Sequence, residues 1–302
     1  MGPTRVILNP VAGRGYGAKV EPGIRAALKE AGSEFDLVHT DAPLHAVELA
    51  RQAVEDGFEL VVAAGGDGTV HEVVNGLVAA SGEGEAGTLG MIPVGSGSDY
   101  AYTMGVPMDW RQACQRLVEG QPRLSDVGRV VVDGQAPQYL DNSVNIGFGG
   151  VVTRESRKVK RLRGMALYLP VVTKTIFLYY KAPPVRIEYD ENVMELPAVM
   201  ITVANGVREG GGFYIAPEAK TDDGFFELCI AHEMSRLAML ATLPLFMQGK
   251  HTDHKMITMA RASRVTISSP EDLIAHIDGE MLCTQGHRIE FEVLPRKLRV
   301  WC

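Results

Sequence analysis

Over the first 125 residues the apolar positions alternate between a strand period and a helix period. Arg5–Asn9 is a short β-rich run ending in Asn-Pro, a turn signal. Gly13–Gly17 follows, and Ala18–Ala31 places Ile24, Leu28 and Ala31 at helical spacing. Phe35–His39 predicts a second strand, and Leu44–Glu55 a second helix closed by Asp56-Gly57. Leu60–Ala64 is wholly apolar, as a parallel strand covered on both faces should be. Val70–Ala79 predicts a helix, Thr88–Pro93 a strand, and Trp110–Glu119 a helix ended by Gly120. This alternation implies a layered α/β domain with a parallel sheet.

After Gly120-Gln-Pro the rhythm changes. Gly128–Val132, Gln138–Ile146, Pro184–Tyr189, Ala198–Asn205, Phe225–His232, Arg264–Ser268 and Arg288–Leu294 all read as strands. Turns rich in Gly, Asp and Asn join many of them, which predicts an antiparallel β domain. Helical patterns interrupt it near Val152–Phe177 and Ser235–Met247. The boundary falls near residue 125, giving an α/β domain over 1–125 and a β domain over 126–294.

Composition narrows the class. The 302 residues are 46% hydrophobic and 22% charged, which excludes disorder, collagen and coiled coil as the main state. Glycine is high, 33 of 302, which suggests tight turns or backbone held close to a ligand. The net charge of −7 gives no global drive toward nucleic acid. Cys114, Cys229, Cys283 and Cys302 are far apart and form no CxxC pair, so a disulfide framework or zinc site is not expected and a reducing cytoplasm fits. No signal-peptide, myristoylation or prenylation pattern is read. The apolar stretches Gly164–Tyr180 and Leu237–Met247 are broken by Pro170, Lys174 and Pro244, so any membrane contact is expected to be peripheral.

The most informative segment is Val61-Val-Ala-Ala-Gly-Gly-Asp-Gly-Thr-Val70. A buried strand runs into Gly65-Gly66-Asp67-Gly68-Thr69 and then into a helix. Its glycines let backbone approach a bulky anion, and amides at a helix start carry partial positive charge. Thr69 can cap the helix or bond a phosphate oxygen. Asp67 repels phosphate, so it implies a Mg²⁺ ion or a proton between them. The loop is not a Walker loop, which needs Lys-Ser/Thr after its last glycine. Asn9-Pro10-Val11-Ala12-Gly13 and Pro93-Val94-Gly95-Ser96-Gly97-Ser98-Asp99 likewise follow strands. All three would lie at carboxyl ends of parallel strands, where such sheets bind ligands. Ile277-Asp278-Gly279-Glu280, Asn205, Gly210–Gly212 and Asp222-Asp223-Gly224 are ordinary turn chemistry taken singly.

Taken together, in order, these motifs resemble the diacylglycerol kinase catalytic family, related to sphingosine and ceramide kinases. The likeness spans nearly the whole chain: Asn9-Pro10 with Gly13, GGDGT at 65–69 with His71-Glu72 and Asn75-Gly76, Pro93–Asp99, Asp126-Val127-Gly128, Asn145-Ile-Gly147-Phe-Gly149, Asn205-Gly206, Gly210–Gly212, Pro217-Glu-Ala219, Asp223-Gly224-Phe-Phe-Glu and Asp278-Gly279-Glu280. NAD kinases and phosphofructokinases share a GGDGT-like loop. The Asn-Pro loop and the late Asp-Gly-Glu look like the lipid kinase arrangement.

The resemblance implies an α/β plus β protein: a three-layer NAD kinase/diacylglycerol kinase-like nucleotide domain, then a β-sandwich domain, with strand 295–302 returning to the first. It implies ATP phosphates at Gly65, Gly66, Asp67, Gly68 and Thr69, with Asn9, Thr40 and Ser96 nearby, and Asp67 and Asp99 serving Mg²⁺ and the triphosphate. Glu280 matches the family's general base, with Asp67 the rival. A structural Mg²⁺ would be held by Asp223 and the carbonyls of Lys220 and Phe225. The third loop departs from the family's Gly-Thr-x-Asn-Asp, reading Gly95-Ser96-Gly97-Ser98-Asp99. Ser96 keeps the hydroxyl, while Ser98 loses an amide.

The expected activity is therefore transfer of the ATP γ-phosphate to a lipid hydroxyl, diacylglycerol to phosphatidic acid, or to a sphingoid base or another alcohol. A nucleotide- or lipid-binding regulator is the non-catalytic alternative. The acceptor is expected at the inner membrane face, and a homodimer is compatible with the chain. Arg154–Arg163 carries six positive charges and one negative, ahead of the apolar Met165–Tyr180. It reads either as a membrane-facing helix or as a solvated charged one. Lys250, His251, His254 and Lys255 read as a small basic surface cluster. Asp126 is compatible with either lipid class.

Overall fold

The computed structural model describes residues 2–82, 84–158 and 165–302. Contacts divide the chain into two units, one formed by 1–127 with 295–302 and the other by 128–294.

In the first unit the elements are β1 (Thr4–Leu8), α1 (Ala12–Glu30), β2 (Phe35–His39), α2 (His45–Glu55), β3 (Leu60–Gly65), α3 (Asp67–Ser81), β4 (Thr88–Pro93), α4 (Asp99–Thr103) and α5 (Trp110–Glu119). The strands form a parallel sheet in the order β4-β3-β1-β2. Every residue of β3 is buried, which explains its unbroken apolar sequence. Val6, Leu8, Val62, Ile24, Leu28, Leu117 and Trp110 pack into one core between sheet and helices. The helix expected from Ala18 is preceded by Gly13, Arg14 and Gly15, all at positive φ, so the chain leaves β1 through a left-handed turn. The five-residue α4 is too short to leave a periodic signal in the sequence.

The second unit contains β6 (Gln138–Leu140), β7 (Ser143–Gly147), α6 (Phe148–Ser156), α7 (Met165–Leu178), β8 (Pro184–Tyr189), β9 (Asn192–Ala204), β10 (Phe226–His232), α8 (Arg236–Gln248), β11 (Ile257–Ala262) and β12 (Arg264–Ile277), joined by the second part of β5 (Pro122–Val132), from Gly128 on, and by β13 (Glu280–Trp301) as far as Leu294. Neighbouring strands run antiparallel in the order β11-β10-β9-β7-β12-β13, and β8 bridges β12 and β9. Val144, Ile146, Ile187, Ile201, Val203, Phe226, Ile267 and Ile289 fill its main core. Among the sequence expectations that change here are two at strand ends. The run Gln138–Ile146 is cut into β6 and β7 by Asp141-Asn142, whose backbone amides turn toward a buried carboxylate. The short final strand is the end of β13, whose last residues Arg299 and Val300 pair in parallel with Thr88 and Leu89 of β4.

Candidate active site

Four strand ends of the first unit carry the residues singled out in the sequence. Asn9 follows β1, Thr40 follows β2, Gly65–Thr69 joins β3 to α3, and Pro93–Asp99 joins β4 to α4. In a parallel sheet these ends share one edge. Hydrogen bonds tie the loops together. Asn9 Nδ2 donates to Thr69 Oγ1 at 3.1 Å, while its Oδ1 accepts from Val11 N–H. The Ser98 and Asp99 amides donate to Asp67 Oδ2 and Oδ1 at 2.7 and 2.6 Å. Asp67 thus has a role beyond the cation or proton inferred from its charge: it fixes the third loop.

The glycines here follow from close approach. A Cβ on Gly65 would strike Thr69 Cγ2 at 2.7 Å, and one on Gly66 would lie 3.1 Å from Gly95 Cα. Gly66 starts α3 without a capping side chain; the Thr69 amide turns back to the Gly66 carbonyl at 2.9 Å, and the helix start carries the partial positive charge that favours an anion. Ser96 is exposed at the loop tip, whereas Thr40, Thr69, Ser98 and Asp99 are buried. Ser98 is held left-handed at φ 56°, a conformation Asn tolerates better than Ser. Asp126 is a structural tie: its Oδ1 accepts from Arg296 N–H at 2.7 Å.

In the second unit Asp278-Gly279 forms the two-residue turn between β12 and β13, with φ 47° and 85°. Two consecutive positive φ values mark a type I′ hairpin. Asp278 is buried, and its carboxylate accepts from the amides of Asp141, Asn142 and Ser143 at 2.8–3.2 Å. That anchor holds the next side chain, Glu280, at the surface. There Glu280 Oε2 meets Arg157 Nη2 at 2.5 Å. A polar layer that single motifs did not reveal lies nearby in the unit. His276 Nε2 meets Glu209 Oε1 at 2.7 Å, and Asn145 Nδ2 donates to Thr202 Oγ1 and Glu209 Oε2.

Asp223 pairs with Arg261 through Oδ2 and accepts from Phe225 N–H through Oδ1 at 3.2 Å. Arg261 also reaches Glu227 Oε1 at 2.8 Å and covers the Phe225 ring. Burial, with Asp223 and Glu218 as like-charged neighbours, pushes the Glu227 carboxyl up against the pull of Arg261. Hard oxygen donors in this acidic setting suit a divalent cation, which would share Asp223 with the guanidinium. Asp222 is exposed.

The basic run is described only through Lys158; residues 159–163 lie outside the described residues. Its described cations are paired. Lys158 and Lys174 hold the buried Glu155 carboxylate at 2.5 and 3.0 Å, Arg154 lies 3.8 Å from it, and Arg157 holds Glu280. The Lys158 hydrogen bond, followed by Lys174, keeps the Glu155 carboxyl below its ordinary value despite burial. Of the cluster expected at 250–255, His251 is not at the surface: it is fully buried and stacks on Phe246. All four cysteines are free, and burial pushes the Cys114 and Cys229 thiols up to about 12, so neither supplies a nucleophile.

Glycine-containing loops at the carboxyl ends of a parallel sheet lie where such sheets bind ligands, and an antiparallel β unit follows them. Residues 3–130 match the family described as diacylglycerol kinase catalytic domain, and residues 142–302 match the YegS C-terminal NAD kinase beta sandwich-like domain. The chain is 30% identical over 280 residues to a diacylglycerol kinase of Staphylococcus epidermidis (strain ATCC 12228 / FDA PCI 1200), covering 91% of this chain and 85% of that protein. It is 31% identical over 281 residues to one from Staphylococcus aureus (strain Newman), with the same coverage. A crystal structure from Bacillus anthracis str. Sterne superposes with a TM-score of 0.82 at 24% identity, covering 99% of this chain and 95% of that one. Yeast NADH kinase complexed with NADH gives 0.52 at 11% identity, covering 98% and 82%. These structural likenesses show the fold alone.

The chain belongs to the diacylglycerol kinase catalytic family, with an N-terminal α/β domain and a C-terminal β sandwich. It is an enzyme, a phosphotransferase of the lipid-kinase class. Kinases of this class use ATP as phosphoryl donor and typically a divalent metal. Among the described residues no helix is long and apolar enough to cross a membrane.

Proposed function

We propose that the protein phosphorylates diacylglycerol to phosphatidic acid with Mg-ATP, working in the cytoplasm as a visitor to the inner membrane face. The observation that carries this reading is the joining of three strand-end loops through Asn9–Thr69 and Asp67–Ser98/Asp99. Pre-linked loops present their amides without reorganisation, the condition under which such dipoles stabilise developing charge best. Asn9, Thr40, Gly65, Gly66, Asp67, Gly68, Thr69, Ser96 and Asp99 are the proposed nucleotide residues. Asp67 and Asp99 are the carboxylates that would hold the catalytic Mg²⁺, whose chemistry is to neutralise phosphate charge. Asp223, with the Lys220 and Phe225 carbonyls, is the proposed structural metal site.

Glu280 is the proposed general base, taking the acceptor hydroxyl proton directly or through one water. Asp67 is the weaker candidate, because both of its oxygens already accept backbone amides. Turnover of Mg-ATP against a panel of diacylglycerol, sphingosine, ceramide and soluble alcohols tests the substrate. Diacylglycerol should give the fastest phosphorylation, and Glu280→Gln should lower that rate by about 10²–10⁴-fold, the usual worth of general base catalysis. Full activity in Glu280→Gln would remove the base assignment, and preference for another alcohol would remove the substrate.

A further inference from the structure

We propose that Arg157 is a latch on Glu280, opened when phosphate oxygens of an anionic lipid surface take over its guanidinium. The inference rests on the reading of Glu280 as general base. Arg157 follows α6, with its N–H on Thr153 O, and its Nη2 meets Glu280 Oε2 at 2.5 Å. The cations around it have another task. Lys158 and Lys174 are bound to Glu155, and Arg154 lies beside that same carboxylate, whose side chain is 1% exposed. Arg157 and Glu280 are instead 48% and 49% exposed, so their pair opens to solvent on both sides.

A carboxylate bound to a guanidinium has an oxygen committed to that cation and is a poorer acceptor for an alcohol proton. An exposed ion pair is weak and screened by salt, so a competing anion displaces it readily. The guanidinium fork fits phosphate as well as carboxylate. The same unit bears the apolar groups that a lipid surface buries: Phe177 and Leu178 on α7, and Leu237 on α8, are exposed. Contact with anionic headgroups would therefore free the base where the acceptor resides.

The test compares the full chain on short-chain diacylglycerol dispersed as monomers and on the same acceptor in phosphatidylglycerol vesicles. Wild type should be faster on vesicles. Arg157→Gln should raise the monomer rate roughly two- to fivefold, the range an exposed pair can hold, and shrink the vesicle advantage by that factor. Arg157→Lys should keep the wild-type ratio. An unchanged or lower monomer rate in Arg157→Gln overturns the latch. Inorganic phosphate that accelerates wild type on monomers as vesicles do overturns the lipid surface as the releasing anion. Vesicle flotation reads the same guanidinium without turnover. Arg157→Gln should bind phosphatidylglycerol vesicles less tightly than wild type, and Glu280→Gln, which frees Arg157, more tightly, because the competition is reciprocal. Equal binding by all three overturns the proposal whatever the acceptor. Glu280→Gln at full activity on both acceptor forms sinks the base assignment. An inactive Glu280→Gln beside an unchanged Arg157→Gln sinks only the latch.

Discussion

Asp67 shows how charge alone under-describes a residue. Beside a glycine loop at a helix start, a carboxylate asks for a cation or a proton, and that much is legible in GGDGT. Its structural task is not legible, because its partners lie 31 and 32 residues away as backbone amides, which leave no mark in sequence. Gly97 belongs to the same arrangement: a Cβ there would lie 2.6 Å from Asp67 Oδ2, so the glycine lets the loop close over the carboxylate. A carboxylate that served only as a metal ligand would hold nothing together in the metal-free protein, and its removal would leave stability unchanged or raise it. A loop organiser behaves oppositely. Asp67→Ala should lower stability by about 1–3 kcal/mol through two stranded amides, read by urea unfolding without metal or nucleotide. A variant as stable as wild type would reduce Asp67 to ligand chemistry alone.

At the scale of elements, three aspartates share one device. Asp133, Asp190 and Asp278 all sit at φ 47–48° in turns, and each carboxylate accepts amides from a neighbouring segment: His287 and Arg288, Ser263 and Arg264, and 141–143 respectively. Read alone, Asp-Gly announces a turn; what the turn is tied to depends on residues far along the chain. The Asp of Asp-Gly-Glu is thus the anchor, and the Glu is the side chain left to act. Gly76 is the matching case between helices. In sequence it is a glycine inside a helical pattern with no stated reason. In the structure α2 crosses so closely that a Cβ would collide with the Val47 carbonyl and lie 2.7 Å from Ala50 Cβ. Helix propensity predicts that Gly76→Ala gains about 1 kcal/mol. Overpacking against fixed backbone costs about 1–3 kcal/mol, and the steric cost should win. Chemical denaturation should show Gly76→Ala less stable than wild type; a more stable variant would mean that α2 and α3 can part.

For the whole molecule, the α/β unit was the more legible because its signals are local. Helix and strand periods alternate, and β2, β4 and α5 fall where the sequence places them. The β unit is built from distant pairings, so the sequence pattern does not mark β11 and marks only fragments of the 22 residues of β13. The place of His251 is hidden for the same reason. Lys250, His254 and Lys255 suggest surface, but the chain turns at left-handed Gly249 and sends the imidazole inward onto Phe246, 4.0 Å between ring centroids. Its Nε2 donates to Ile215 O at 3.0 Å, which leaves Nδ1 as the unprotonated nitrogen, buried with no partner among the described residues. Protonation would put a second N–H where nothing accepts it, and burial accordingly holds the His251 pKa below its ordinary 6.5. The unfolded chain therefore binds this proton first. The stabilising contribution is complete above about pH 6.5 and is lost as pH falls toward the lower folded value. One such group gives a slope of at most about 1.4 kcal/mol per pH unit. Unfolding free energies of wild type and His251→Gln, measured from pH 7.5 to 5, should converge as the solution is acidified, because only wild type carries this proton penalty. Parallel curves would show that the imidazole charges freely in the folded protein and that its burial has no acid cost.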